Sequence, residues 1–171
     1  YWLHRNLETY SQNIATFLQK SRQITAQQFS FGSKSESYAW IAVFSFFALR
    51  GLWQMYHYEL QYDEAWTYNH FVSKGPIVSA ISPNNNHIFY TLFASLFAWI
   101  PLELKYSLRL PVWIGGLVCG QLFYILVRRF WGWKWAVISL AVFVCSPAIL
   151  FYSMYARGYI FQISFSLIAL L

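Results

Sequence analysis

The sequence predicts an all-α integral membrane protein, the N-terminal part of a multi-spanning helical bundle with juxtamembrane helices in its first outer loop. Three observations carry that prediction. Hydrophobic residues make up 58% of the chain and aromatic residues 22%, against 11% charged, and the mean hydropathy is +0.38; such values are ordinary in a membrane protein and high in a soluble domain. Apolar runs recur at residues 38–56, 108–127, 135–151 and 159–171. Basic residues gather in short segments between them, as the positive-inside bias requires.

The elements follow in order. Residues 1–31 place Leu3, Leu7, Tyr10, Ile14, Phe17 and Leu18 at spacings of three and four, with Arg5, Lys20 and Arg22 elsewhere. This is the pattern of an amphipathic helix, suited equally to a membrane surface and to a partner subunit. The break at 32-GSKS-35 closes a cytoplasmic segment, residues 1–37, ahead of the membrane module, residues 38–171. The run 38–56 matches a hydrocarbon core of ~30 Å at about 1.5 Å per residue. Trp40, Trp53 and Tyr56 suit its interfaces, while Arg50 either snorkels outward or faces a polar cavity.

Residues 57–107 form the outer loop, with helices expected over 63–74 and 87–100. The apolar run 88–100 gives only about 20 Å of helix, too short to cross. Loop charge then sets the sides. Arg128, Arg129 and Lys134 surround 130-FWGW-133, and Lys20, Arg22 and Lys34 mark the N-terminal segment, so both belong in the cytoplasm. With 88–100 lying flat, alternation places 58–107 and 152–158 outside. The run from Tyr159 reaches Leu171 without a closing anchor, so the chain is expected to be part of something longer. The net charge of +6 fits membrane orientation and not nucleic-acid binding, because the basic residues share no single polar surface. Cys119 and Cys145 lie in apolar runs and resemble small core residues. A transporter would carry ionisable groups at mid-bilayer, and the runs 109–127, 135–151 and 159–171 have none past the first residue.

The chemistry concentrates in the outer loop. Only six acidic residues occur in the chain, yet Asp63 and Glu64 are adjacent in 62-YDEAWTY-68. Acidic residues in a first helical turn complement the dipole and cap free N–H groups. On a helix, Asp63, Thr67 and His70 would also share one face. The segment 84-NNNHIFY-90 sets Asn86 and His87 at a helix start, either as turn and cap residues or as a phosphate seat to which a protonated His87 adds charge. Arg109, in 106-YSLRLP-111, and Arg157, in 152-YSMYARGY-159, reach the same side; each taken singly reads as an interfacial anchor. Together these residues set carboxylates and cations among apolar walls. A carboxylate can take a proton from an attacking hydroxyl or amine, and cations can stabilise a departing phosphate. A site at membrane level suits a donor with a long lipid tail.

Five segments recur in a known order: 62-YDEAWTY-68, 87-HIFYTLF-93, 109-RLP-111, 128-RRFWG-132 and 146-SPAILFYSMYARGY-159. In these the chain, from Trp40 to Leu171, resembles the membrane-embedded GT-C glycosyltransferases, in particular the protein O-mannosyltransferase and lipid A aminoarabinose transferase group (glycosyltransferase family 39-like). The second segment lacks the prolines of that group's motif. The resemblance implies a GT-C-type bundle in the bacterial inner membrane or the endoplasmic reticulum. It implies transfer of a sugar from a polyprenyl-phosphate-linked donor to an extracytoplasmic acceptor, with inversion. Asp63 would be the catalytic base and Glu64 a supporting acid. His87 and Arg109 would lie near the lipid-linked phosphate, with Arg157, Tyr68 and Asn86 as further substrate contacts. Some relatives hold a divalent metal at the outer-loop carboxylates; here Asp63, Glu64, His57 and His70 offer ligand atoms without a recognised ligand spacing. The competing expectation is a non-catalytic membrane subunit that assembles through its N-terminal helix and aromatic-rich spans, and tolerates substitution of Asp63 and Glu64.

Overall fold

The structure, a computed structural model, describes residues 30–82 and 86–171, so the amphipathic helix expected over 1–31 lies almost wholly outside the described residues. The chain divides into two compact units, Tyr1–Lys34 and Ser35–Leu171, and the second holds every element discussed below. The described elements are all helices: α1 (Lys34–His57), α2 (Tyr62–His70), a 3-10 turn (Val72–Lys74), α3 (Pro76–Ile81), α4 (Ile88–Phe97), α5 (Leu104–Cys145), α6 (Pro147–Tyr152) and α7 (Tyr159–Leu170). Among the described residues only α5 is long and apolar enough to cross a membrane by length and composition.

Helix α5 is not one straight rod. Gly132, in the middle of the basic turn, has φ 78° and ψ 173°, a conformation open essentially to glycine alone. Phe123 and Phe143 then stack at 4.3 Å between ring centroids with an interplanar angle of 10°. Twenty residues of continuous helix would hold those rings about 30 Å apart. The 42-residue element is therefore a hairpin that turns at Gly132, and its two arms match the runs 108–127 and 135–151.

The second arm is shorter than expected. Pro147 has no N–H to donate and disfavours helical backbone at Ser146, which is extended (φ −62°, ψ 127°). The helix stops at Cys145, and the short α6 restarts after the break. The run 135–151 is thus two pieces. The helix expected over 63–74 is likewise divided, at Phe71 (φ −125°, ψ −62°), and the one expected over 87–100 runs from Ile88 to Phe97.

Long-range hydrogen bonds give the direction of each helix. Tyr124 donates to Glu36 Oε1 at 2.6 Å, Trp40 Nε1 to Gln121 Oε1 at 3.0 Å, and Trp113 Nε1 to the Ala48 carbonyl at 3.2 Å. Position rises along α1 as it falls along α5, so α1 and the first arm of α5 are antiparallel. By contrast Phe161 lies against Gly115, and Arg129 donates to the Leu171 carbonyl; α7 runs parallel to that arm. Two ends follow. One carries residues 58–82, 86–103 and 153–158. The other carries Glu36, the basic turn and Leu171. Leu108, Val112, Cys119, Ala156 and Ile160 fill the core toward the first end, and Phe47, Tyr124, Leu140 and Val144 fill it toward the second.

Candidate functional site

The site lies at the end formed by residues 58–82, 86–103 and 153–158, and it begins with the adjacent carboxylates of α2. Consecutive residues on a helix point about 100° apart. Here that angle separates two jobs. Glu64 turns inward and is fully buried. Its Oε1 accepts Arg109 Nε at 3.0 Å and the Ala156 amide at 2.9 Å; its Oε2 accepts Arg109 Nη2 at 2.6 Å and the Gln61 amide at 2.8 Å. Four donors satisfy one carboxylate. The Gln61 bond also caps the start of α2, where an acidic side chain complements the helix dipole.

Arg109 is equally occupied. Besides the bidentate pair, Nη1 donates to the Tyr58 carbonyl at 2.5 Å and Nη2 to the Glu59 carbonyl at 2.7 Å, and the residue is 3% exposed. Its place at the start of α5 was legible; its partner was not. The guanidinium ties α5 to the turn that enters α2, so no free fork points toward a ligand. The expectations that Arg109 meets a lipid-linked phosphate and that Glu64 assists catalysis give way to a shared structural role.

Asp63 turns outward, with its side chain 48% exposed. Tyr155 donates to Oδ2 at 2.7 Å, and Arg157 Nη2 lies 3.6 Å from Oδ1. Tyr155 belongs to the connection between α6 and α7, so the carboxylate is oriented from the far side of the sequence. Burial, followed by the hydrogen bond to Asp63, pushes the Tyr155 hydroxyl up to about 12, so it stays protonated as a donor at neutral pH. Arg157 is buried, and its Nε finds no hydrogen-bond partner among the described residues.

His87 joins this group as the residue before α4. Its ring meets Tyr159 at 4.8 Å, and a Cβ on Gly158 would come within 2.6 Å of the His87 Cβ, so Gly158 allows the close approach. Burial, reinforced by the nearby positive charge of Arg157, lowers the His87 pKa below its usual 6.5. That direction favours the neutral imidazole over the protonated form that would add charge to a phosphate seat.

Asn86 is held elsewhere. Its Nδ2 donates to the Ser79 carbonyl at 2.7 Å and the Ser82 carbonyl at 2.9 Å, and its Oδ1 accepts Thr91 Oγ1 at 2.7 Å. It locks α3 to α4 and makes the turn-and-cap role the observed one, in place of substrate contact. Tyr68 is half-buried against the core cluster and is not brought to Asp63. His70 is exposed and stacks on Trp66 at 4.2 Å, whereas Thr67 is buried and donates to the Asp63 carbonyl at 2.8 Å. Asp63, Thr67 and His70 therefore do lie along one side of α2, as expected, but they differ in burial. No three metal-ligating side chains converge among the described residues, and Glu64 is already saturated by its donors, so the set Asp63, Glu64 and His70 does not fit a divalent ion.

A cavity of about 550 Å³ adjoins this cluster. Helix α1 supplies Arg50 and Gln54, and Leu150, Phe151 and Met154 supply apolar wall. Tyr155 is shared: it lines the cavity, its ring is stacked on Phe151 at 4.7 Å, and its hydroxyl donates to Asp63. Arg50 thus lines a cavity of mixed polar and apolar walls and does not simply snorkel outward. Tyr155 and Gln54 were missed. Tyr155 stood inside a quoted segment, but nothing local marks a tyrosine as the partner of a carboxylate 92 residues away. Comparison of the chain with family models, curated proteins and solved structures gives no match.

Proposed function

We propose that this chain is part of a multi-pass membrane glycosyltransferase of GT-C type, taking its sugar from a polyprenyl-phosphate-linked donor on the extracytoplasmic side. The observation that carries the reading is the division between the two carboxylates: Glu64 is locked by four donors while its neighbour Asp63 is half exposed, oriented and beside a ligand-sized cavity. In the reaction Asp63 removes the proton from an acceptor hydroxyl or amine. The acceptor atom bonds to the anomeric carbon as the carbon–oxygen bond to phosphate breaks, and the phosphate leaves with the electron pair. With one free carboxylate, a single displacement is favoured, which inverts the anomeric centre. Tyr155 and Arg157 position Asp63, the first by a hydrogen bond and the second by an ion pair. His87, whose pKa is lowered by burial and by Arg157, is assigned no charge-stabilising role.

The bundle's ends support the proposed orientation. The basic turn with Arg128, Arg129 and Lys134 lies opposite the site, which places the site outside when the turn faces the cytoplasm. A direct test uses membranes containing the full-length protein and a labelled polyprenyl-phosphate sugar. Release of polyprenyl phosphate above that of membranes lacking the protein is expected. Release no greater than in membranes lacking the protein, with each of the mannosyl, glucosyl, galactosyl and aminoarabinosyl donors, would overturn the reading in favour of a non-catalytic subunit.

A further inference from the structure

Two buried polar atoms in the cavity have nothing to bond. Arg50 Nη1 and Gln54 Oε1 are both buried, and neither finds a hydrogen-bond partner among the described residues. They lie one helical turn apart on α1, so both project into the same cavity, which both line. Leaving a buried donor and acceptor unmade costs about 1–3 kcal/mol each, more for a charged group. Native interiors seldom leave such groups unpaired. An occupant that supplies an acceptor to Arg50 and a donor to Gln54 removes that penalty.

The charges of the lining narrow the chemistry. Glu64 and Arg109 neutralise one another, so Arg50 is the uncompensated charge among the lining residues. Its guanidinium rests on the Trp53 ring at 4.3 Å, a contact that fixes the group without neutralising it. The complementary ligand is an anion. The opposite wall is apolar, formed by Leu150, Phe151 and Met154. The ligand therefore carries hydrocarbon as well. Arg50 sits seven residues before the end of α1, about 10 Å along the axis, the depth at which an amphiphile's head meets its chain.

We infer that the cavity is the binding subsite for a phosphorylated amphiphile, with the phosphate on Arg50, a hydroxyl on Gln54 and the chain along Leu150, Phe151 and Met154. For the transferase, on which the identity of the ligand rests, this makes Arg50 the cation that receives the leaving phosphate, a role that Arg109 is not free to fill. The sugar then extends toward Tyr155, which lines the cavity and whose hydroxyl donates to Asp63.

The test measures binding by the full-length protein in detergent, with farnesyl phosphate, farnesol and inorganic phosphate as probes. Farnesyl phosphate binds tightest. Arg50→Gln weakens it about tenfold or more, the size of one lost hydrogen bond to a charged group, and Arg50→Lys restores part of it. Gln54→Leu, which conserves the helix, weakens a farnesyl-phosphate sugar more than farnesyl phosphate. Farnesol binding is indifferent to Arg50→Gln. Unchanged farnesyl phosphate affinity in Arg50→Gln, with an unaltered melting temperature, overturns the assignment; inorganic phosphate binding as tightly as farnesyl phosphate overturns its amphiphilic part. If Arg50→Gln does not fold, unchanged farnesyl-phosphate-sugar affinity in Gln54→Leu overturns it instead. The two readings fail separately: Arg50-dependent farnesyl phosphate binding without any sugar transfer overturns the transferase and keeps the subsite, whereas sugar transfer with farnesyl phosphate affinity indifferent to Arg50→Gln overturns the subsite alone.

Discussion

Removing the Arg109 guanidinium should unfold the site before it alters any chemistry. In Arg109→Met the side chain keeps its apolar stem but withdraws two hydrogen bonds from Glu64, which is fully buried. Breaking a buried ion pair from one side typically costs about 3–5 kcal/mol, since the remaining charge is uncompensated. The Gln61 and Ala156 amides still reach the carboxylate, which argues for the lower half of that range. The carbonyls of Tyr58 and Glu59 lose their donors as well, so the turn entering α2 loosens. Replacing both partners, as in Glu64→Met with Arg109→Met, removes the stranded charge and should recover about half of the loss, leaving the unpaired amides and carbonyls. The assay is unfolding of the full-length protein in mixed micelles by SDS titration, read as a double-mutant cycle. Glu64→Met, Arg109→Met and the double variant within about 0.5 kcal/mol of the wild type would refute the structural role of the pair.

Three smaller perturbations report on its surroundings. Gly158→Ala pushes a methyl group into His87, at 2.6 Å from Cβ, and should cost about 1–3 kcal/mol of stability in the same titration. Lowering the pH should destabilise the protein through His87: its folded pKa is below 6.5, so the contribution is fully present above the unfolded value and is lost as pH falls from about 6.5 through the folded value. His87→Gln should flatten that part of the stability–pH curve. Tyr155→Phe keeps the cavity wall and removes the donor to Asp63, so kcat should fall about tenfold with KM nearly unchanged, measured by donor turnover.

The helices were legible because burial in a membrane-like bundle needs long apolar runs, and the two loudest punctuation marks, Gly132 and Pro147, both act where they stand. Gly132 was read as part of a basic turn and is one. Pro147 was submerged in an apolar run, and the break it enforces after Cys145 went unread. The candidate site was legible as a set of residue types but not as a set of partners. Asp63 and Glu64 are chemically alike and adjacent; which of them is free depends on Arg109, 45 residues beyond Glu64, and on Tyr155, farther still. Asn86 shows the same limit. A turn-rich segment reads equally as a phosphate seat and as a lock, and only the carbonyls of Ser79 and Ser82 decide between them.

The central claim is that Asp63 acts chemically while Glu64 acts structurally. Asp63→Asn tests it most directly, in the full-length protein with a polyprenyl-phosphate sugar donor and stability measured on the same preparation. Asparagine keeps the shape, can still accept from Tyr155 and caps a helix nearly as well as aspartate, but it cannot take a proton. Turnover should fall by about 10²–10⁴-fold, the usual contribution of a general base, with the unfolding free energy changed by less than about 1 kcal/mol. Near-normal turnover in Asp63→Asn, or a collapse of stability as large as that of Arg109→Met, would contradict the account.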